Sequence, residues 1–374
     1  MPPQEITPEP FPWLDTSRYS FSQGIDASGA AWLAGQTAGA YDAESGRVTV
    51  RGDGAEQASV CWAKVEAVLD AAGRDVSDCS EVTEYITVAG APERDAIAAQ
   101  RPHSLGSAVG GVRPSTFIVE SLVRPEALVE VEVVAGQVDG LVRVPQVVPV
   151  DDDGKAVLPG DFVGQCEWAL EEAGRRLEPH GMDLSHVVRV VQQTTPATRR
   201  QYNETAEARR RLLSPHFPSS TGLLMGQLPH PNALVALDVW ASAQPKTVVP
   251  YQPEAYSTLT FSPAVEAGGL LFISGTTAFN MSTGETVGEG DLGGQAEFVY
   301  GEIAAICEMA GTSIDNLVKT VEYVTPDGID GYRAVGDVRQ RVLGRPFPAS
   351  TGVVVAGLLS RRWLIEVEAV VSMP

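Results

Sequence analysis

The amino-acid sequence predicts an α+β fold made of three copies of one unit, each a mixed sheet with helices on one face. Three observations predict it: a glutamine-anchored helical pattern occurs three times, a β-branched segment follows each helix, and an apolar strand closes each copy. The copies are predicted at residues 1–137, 138–246 and 247–374, joined by proline-containing links at 137–145 and 242–258.

Each copy is expected to contain an amphipathic helix that ends at a glycine. Apolar residues lie 4, 8, 11, 12 and 15 positions after Gln57, and a glycine lies 16 positions after it. The third copy repeats these offsets from Gln295, and the middle copy keeps a weaker pattern from Gln165 with the same glycine position. This spacing is typical of one buried helix face ended by a C′ glycine.

The register continues beyond the helix, since Thr87, Thr195 and Thr325 each lie 30 positions after their glutamine. Tyr85 and Tyr323 share one position of this β-branched segment. A second helix, a loop bearing a threonine and an apolar strand pair complete each copy.

The first and third copies also begin with a predicted hairpin, at residues 21–48 and 261–287, whereas the middle copy keeps only a second strand and turn within 141–161. The middle copy is therefore predicted to be truncated. Because a sheet covered by helices on one face must bury the other, we expect the three sheets to pack around a common axis in one chain.

Composition limits the classes of function. The chain has 374 residues and a net charge of −21, which disfavours nucleic acid and anionic lipid as partners. No run of 18 apolar residues and no signal-peptide pattern is present, so a soluble cytoplasmic protein is expected. The four cysteines and five histidines lack metal-ligand spacing, and the glycines lack nucleotide-binding patterns, so neither a metal nor a cofactor is expected.

The sequence resembles the Rid family, also called YjgF-like, in all three copies, most clearly in the third and least in the middle one. The resemblance rests on FSQG and FSPA at the start of the unit, LAGQTA and FISGTTA in its second strand, G-D-x-x-x-Q before the helix, and LVEVE and LIEVE in the closing strand. It implies chorismate-mutase-like units that form an intramolecular pseudo-trimer with ligand pockets between units. It also implies cofactor-free hydrolysis of reactive imines and enamines to ketones and ammonia.

The resemblance also implies catalytic residues. In the deaminases of the family, the first glutamate of the closing strand positions a water, and this glutamate corresponds to Glu130 and Glu366, where the middle copy has Ala236. Glu366 is the stronger candidate because the third copy keeps the family pattern best. Both glutamates alternate with apolar neighbours, so they face away from the helix-covered core, where partial burial is expected to raise their pKa.

The substrate-binding arginine of the deaminases is absent, because serine or threonine occupies its position in all three loops. Neutral donors are therefore expected to contact the substrate, with a neighbouring arginine reaching the pocket from another angle or simply neutralising surface acid. The candidate substrate-binding residues are Arg113, Arg345, Ser350, Thr351, Thr116, Tyr323 and Tyr85.

The most concrete function is thus an enzyme, a hydrolase or deaminase of a reactive small molecule, acting in a cleft between repeats, with a specialised biosynthetic catalyst as an open variant of it. A chorismatase-like hydrolase and a catalytically silent small-molecule-binding or scaffold protein stay open as alternatives. One chain is expected to form the ring alone, as a monomer or as a dimer of such rings.

Overall fold

The computed structural model describes residues 2–374, which form three mixed β-sheets with helices packed on one face of each, and two small two-stranded sheets. The predicted α+β class is confirmed. Residues 2–137 contain strands β1 Gln4–Ile6, β2 Gly24–Ala27, β3 Ala30–Leu33, β4 Gln36–Thr37, β5 Ala40–Asp42, β6 Arg47–Thr49, β7 Cys79–Thr87, β8 Ser115–Val119, β9 Ser121–Leu122 and β10 Val129–Gly136, with helices α1 Gly54–Ala71 and α2 Arg94–Ala98.

The third segment follows the same order of elements, and the middle segment follows it from the main helix onward, with a single strand before that helix. Residues 138–246 contain β11 Leu141–Val147, helix α3 Phe162–Leu177, β12 Val187–Thr194, helix α4 Ala206–Leu213, β13 Ser219–Leu224 and β14 Ala236–Ser242. Residues 247–374 contain β15 Thr247–Val248, helix α5 Pro253–Tyr256, β16 Ala264–Ala267, β17 Leu270–Thr277, β18 Phe279–Asn280, β19 Glu285–Thr286, helix α6 Leu292–Met309, β20 Leu317–Val324, helix α7 Arg333–Val342, β21 Ala349–Val354, β22 Gly357–Leu358 and β23 Ile365–Ser372.

The first sheet has the strand order β1-β2-β3-β10-β7-β8, with β4 also paired to β10, and the third has β15-β16-β17-β23-β20-β21-β9. The middle sheet, β11-β14-β12-β13-β22, lacks an opening hairpin. The three sheets exchange short strands in cyclic order. Strand β9 of the first segment pairs in the third sheet, β22 of the third pairs in the middle sheet, and Gln227 of the middle segment bridges to Ile118 of the first.

The repeated glutamine fastens each main helix to the start of its closing strand. The Oε1 atoms of Gln57, Gln165 and Gln295 each accept a hydrogen bond of 2.7 Å from a backbone N–H just before or at that strand. The glycines 16 positions later all have positive φ, between 67° and 81°, which an L side chain rarely adopts. The predicted ends are confirmed for α1 and α6, whereas α3 ends at Leu177 and a 3-10 turn, Glu178–His180, precedes its glycine.

The two predicted links are more ordered than a link requires. Residues 141–145 belong to strand β11, where the guanidinium of Arg143 pairs with Glu81 at 2.6 Å and stacks 4.7 Å from the ring of Trp240. The second link contains strand β15 and the short helix α5. Strand pairing at the sheet edges and the Arg143–Glu81 ion pair therefore order most of the residues that their proline content predicted to be links.

The sheet faces without helices pack against one another. Trp32, Trp240 and Phe272, one from each sheet, belong to a single buried cluster, with ring centroids 5.8 and 5.7 Å apart. Three further clusters lie between each sheet and its own helices. Burying both faces of each sheet is what a closed arrangement of three sheets requires.

Each segment also buries a polar pair at matching positions, 27 and 44 residues after its anchor glutamine. Arg101 and Arg209 donate hydrogen bonds to their partners, Arg339 forms an ion pair with its partner at 3.3 Å, and the β-strand side chain of each pair is buried. The pairs are Glu84 with Arg101, Gln192 with Arg209 and Glu322 with Arg339.

All four cysteines are free thiols and buried. Among the helices of residues 2–374, none combines the length and the apolar character needed to cross a bilayer.

Candidate functional site

A cavity of about 720 Å³ lies between residues of the first and third segments. Its buried lining includes Gln23, Gln36 and Glu130, which are 3%, 2% and 6% exposed. Its exposed lining includes Arg18 and Arg333. We call the part of the cavity that these two arginines line the mouth. Volumes of 300–1,000 Å³ are typical of sites for organic ligands, so this cavity is the candidate functional site.

Glu130 provides the ionisable carboxyl group of the buried end. Strand β10 holds it between Thr37 and Tyr85 of the neighbouring strands, with the apolar Val129 and Val131 directed into the helix-covered core. Burial, and secondarily the negative charge of Glu132, raises the pKa of Glu130 from 4.5 to about 8. The carboxyl is therefore protonated at neutral pH and can donate a proton, as a general acid must.

Gly35 permits this position of the carboxyl group. A Cβ atom at Gly35 would lie 2.7 Å from Cδ of Glu130, with Oε1 closer still, and 2.9 Å from Cγ2 of Thr351. No side chain larger than hydrogen fits there unless Glu130 moves. The glycine of the LAGQTA motif is thus required by close approach and not by its backbone dihedral angles.

Two buried amides lie beside Glu130. Nε2 of Gln36 donates both to Ala34 O and to Oε1 of Gln23, at 3.1 Å each. Since the Ala34 carbonyl needs a donor, these bonds fix the orientation of both amides. Nε2 of Gln23 then has no hydrogen-bond partner among residues 2–374, although it is buried.

The cavity also contains cations. Nζ of Lys64 donates to the carbonyl oxygens of Thr37 and Gly39 at 2.7 and 2.5 Å, and burial lowers its pKa to about 8. Arg18, Arg124 and Arg333 line the cavity as well, and within residues 2–374 no carboxylate oxygen lies within 4.0 Å of their guanidinium nitrogens.

Glu366 lies at a different boundary, between the third and middle segments. Burial raises its pKa to about 8, while the backbone of Gly222 in the middle segment acts in the opposite direction. Gly275 makes the same close approach to Glu366 that Gly35 makes to Glu130, and its N–H donates to Oγ1 of Thr221 at 3.1 Å. The structure therefore separates the two predicted catalytic glutamates, and Glu366 is not part of the lining of the 720 Å³ cavity.

Among the predicted substrate-binding residues, the structure brings only Ser350 to this cavity. Its hydroxyl shares a 2.7 Å hydrogen bond with Thr320. The hydroxyl of Thr351 donates to Glu132 at 2.5 Å and accepts from Lys319 and from Gly35 N, so the fold uses its hydrogen-bonding capacity.

The other predicted contacts lie elsewhere. The backbone of Thr116 exchanges hydrogen bonds with the side chain of Gln146 at the boundary between the first and middle segments. Arg113 lines a separate cavity of about 80 Å³ at the same boundary. Arg345 is exposed and stacks 4.9 Å from Phe347. Tyr85 and Tyr323 line a central cavity of about 20 Å³, which holds about one water molecule.

Sequence reasoning missed Gln23, Lys64 and the arginines of the cavity, which are Arg18, Arg124, Arg333 and Arg339. One signal was available for Gln23, because FSQG carries a glutamine where FSPA of the third copy carries a proline. The arginines lie in parts of the chain that only folding brings together. Within residues 2–374 no group of three histidine, cysteine or acidic side chains is placed to hold a metal ion.

Comparison with known proteins gives matches in two parts of the chain. A profile of the family described as endoribonuclease L-PSP matches residues 15–137 and 252–373. A RutC family protein of Pyrococcus horikoshii is 31% identical over 132 residues, covering 35% of this chain and 94% of the relative. A 2-iminobutanoate/2-iminopropanoate deaminase of Dermatophagoides farinae is 28% identical over 111 residues, covering 30% of this chain and 84% of the relative.

Solved structures give two kinds of match. RidA from an Antarctic Psychrobacter species is 32% identical, with a TM-score of 0.28, over 30% of this chain and 89% of its own. A chorismatase crystal structure has a TM-score of 0.53 and 14% identity over 79% of this chain and 93% of its own. At that identity, the second match shows a shared fold alone.

Proposed function

Because the chain belongs to the endoribonuclease L-PSP family, which includes the Rid or YjgF-like proteins, we propose that it is a cofactor-free hydrolase of a reactive imine or enamine. The proposed reaction takes place in the 720 Å³ cavity, with Glu130 as the proton-transfer residue. One observation carries the proposal: a buried carboxyl with its pKa raised to about 8 lines a ligand-sized cavity. The deaminase name of one relative supports the reaction class.

The chemistry needs one carboxyl group and one water. Protonated Glu130 donates its proton to the imine nitrogen, which makes the imine carbon electrophilic. The resulting carboxylate accepts a proton from water as the water oxygen bonds to that carbon, giving a carbinolamine. A second proton transfer to nitrogen and loss of the hydroxyl proton to the carboxylate release ammonia and a carbonyl compound, so imine and water are converted without a cofactor.

Substrate binding is proposed to differ from that in the deaminases of the family. Ser350 and the amide of Gln23 would contact the reacting end of the substrate, since the family arginine is absent from the loop. Lys64 would add positive charge near the carboxylate that forms transiently on Glu130, which favours that charged state. Arg113, Arg345, Thr116, Thr351, Tyr85 and Tyr323 are therefore assigned no substrate contact in this proposal.

We propose that residues 1–137, 138–246 and 247–374 are three units of one type, with a truncated middle unit, and that they form an intramolecular pseudo-trimer. The cyclic exchange of short strands supports this arrangement, as do the shared anchor glutamines and arginine pairs. The expected assembly is then a monomer or a dimer of rings. Light scattering tests it, and an obligate trimer near three times 39.6 kDa would contradict it.

Ammonia release tests the proposed reaction. An amino-acid oxidase generates 2-iminopropanoate or 2-iminobutanoate in situ, and semicarbazide traps the imine that escapes hydrolysis. We expect the native chain to accelerate ammonia release and Glu130→Gln to slow it by about 100-fold or more, the usual scale for losing a general acid or base. Glu366→Gln is the matched variant at the other boundary. Loss of activity in that variant alone would move the chemistry to the boundary between the third and middle segments.

A chorismatase-like hydrolase is the second candidate, favoured by the fold shared over 79% of the chain. Pyruvate release from chorismate distinguishes it from imine hydrolysis. A binding or scaffold protein without turnover is the third, and inactivity towards both substrates, with intact folding, would support it.

A further inference from the structure

We propose that the cavity takes an elongated anionic substrate with two separated polar ends. The reacting end would lie beside Glu130 and Gln23, and a second acidic group, a carboxylate or phosphate, would lie at the mouth beside Arg18 and Arg333. This inference rests on the proposed function of the same cavity and adds the chemical class of its substrate.

The volume of the cavity exceeds what a small imino acid fills. A three- or four-carbon imino acid has six or seven non-hydrogen atoms, which occupy roughly 200 Å³ if each takes the 30 Å³ share of a water molecule. The cavity offers about 720 Å³. A small acid would leave most of that space to water, whereas roughly 20 non-hydrogen atoms fill it.

The charges at the mouth favour an anion. Arg18 and Arg333 are exposed, Arg124 is half-buried, and the described chain brings no carboxylate oxygen within 4.0 Å of any of them. Asp337 is the exposed carboxylate of the lining, so three guanidinium groups without an acid partner in the described chain face one exposed carboxylate in this cavity. The chain has 48 acidic and 27 basic residues, so a cavity lined by three arginines without acid partners among residues 2–374 is a local reversal of its charge. Guanidinium groups bind carboxylate and phosphate in bidentate fashion and concentrate anions at a cleft.

The buried part of the cavity, away from the mouth, contains a hydrogen-bond donor that has no partner in the described part of the chain, the side-chain amide of Gln23. Nε2 of Gln23 is buried, lines the cavity and has no partner among residues 2–374, and its bond with Gln36 fixes its orientation. Buried amide donors are almost always paired in folded proteins, so a ligand oxygen is the expected partner. A carbonyl or carboxylate oxygen next to the reacting carbon fits this donor.

The inference is tested by binding, which does not depend on turnover. Isothermal titration calorimetry compares 2-oxoadipate, 2-oxohexanoate and pyruvate in the native chain and in Glu130→Gln. The first two acids share a six-carbon chain and differ in the distal carboxylate. We expect the diacid to bind at least about 10-fold more tightly than 2-oxohexanoate, the scale of one charge-assisted contact. The preference should weaken as salt is added.

Three variants locate the contacts. The double variant Arg18→Ala, Arg333→Ala should lose the preference for the diacid, while Arg361→Ala, which removes an exposed arginine outside the cavity, should keep it. Gln23→Leu should weaken both six-carbon acids by a similar factor of about 10, because it removes the donor to the end they share.

Two outcomes would overturn the inference: equal or undetectable binding of the two six-carbon acids at millimolar concentration, or a preference that survives loss of both mouth arginines. The proposed function fails separately. A chain that binds the diacid as expected but hydrolyses no imine would keep this inference and lose the reaction, and imine hydrolysis without diacid preference would do the reverse.

Discussion

Substituting Gly35 by alanine moves the carboxyl group of Glu130 while leaving its chemistry intact. The added Cβ would lie 2.7 Å from Cδ of Glu130 and 2.9 Å from Cγ2 of Thr351. Ordinary contacts of this kind are no shorter than about 3.5 Å, so the carboxyl group must retreat by on the order of 1 Å. A displacement of that size at a reacting group costs about 100-fold in rate.

The assay is ammonia release from an imine generated in situ, together with thermal unfolding of the variant. We expect Gly35→Ala to lose about 100-fold in kcat and to stay folded, because the Glu130 side chain borders a cavity into which it can rotate. Gly275→Ala is the matched control. Its Cβ would lie 2.8 Å from Cδ of Glu366, so the clash with the glutamate carboxyl is the same at the boundary without this cavity, while the contact with a threonine is particular to Gly35.

Comparing the activities of the two glycine variants tests whether the position of the Glu130 carboxyl matters for turnover. Activity lost in Gly35→Ala and kept in Gly275→Ala supports a working site at Glu130. Full activity in a folded Gly35→Ala variant would refute the claim that the position of this carboxyl matters. Equal loss in both variants would show that the clash acts through general stability.

Three further predictions concern pH, a buried ion pair and the middle unit. The folded chain binds the Glu130 proton more tightly than the unfolded chain, so this group's contribution to stability is present below pH 4.5 and is lost as the pH rises to about 8. Urea unfolding at pH 5 and pH 9 measures the resulting loss in the free energy of unfolding. We expect that loss to be smaller in Glu130→Gln than in the native chain, by about 2 kcal/mol or more. Arg339→Met leaves the carboxylate of Glu322 buried without its ion-pair partner, so it should lower the free energy of unfolding by about 3 kcal/mol. Adding Glu322→Gln should recover most of that stability, and chemical denaturation of the two variants measures both effects. Joint substitution of Gln193→Tyr and Ala236→Glu should leave kcat unchanged, since neither position lines the cavity; a large change in turnover would make the middle unit a working part.

The repeated residues of the sequence have physical explanations that the sequence alone did not provide. The anchor glutamine joins a helix to a strand 69 to 71 residues away, which is why it persists in all three segments. Tyr85 and Tyr323 stand directly opposite Glu130 and Glu366 in their sheets. In the middle segment the same cross-strand pair is formed by Gln193 and Ala236. The loss of the tyrosine and the loss of the glutamate therefore occur at a single paired position of the sheet.

The sequence by itself determined the α+β class, the extents of the main helices, the closing strands and the family, because periodicity, capping glycines and motifs act over short distances along the chain. It also identified Glu130 as a carboxyl facing away from the helix-covered core. Only the tertiary structure decided which glutamate borders a cavity of ligand size. That cavity joins Arg18, Glu130 and Arg333, residues from both ends of the chain, and its volume depends on how two sheets approach each other. No local pattern encodes that distance, so the cavity could be found only in the folded chain.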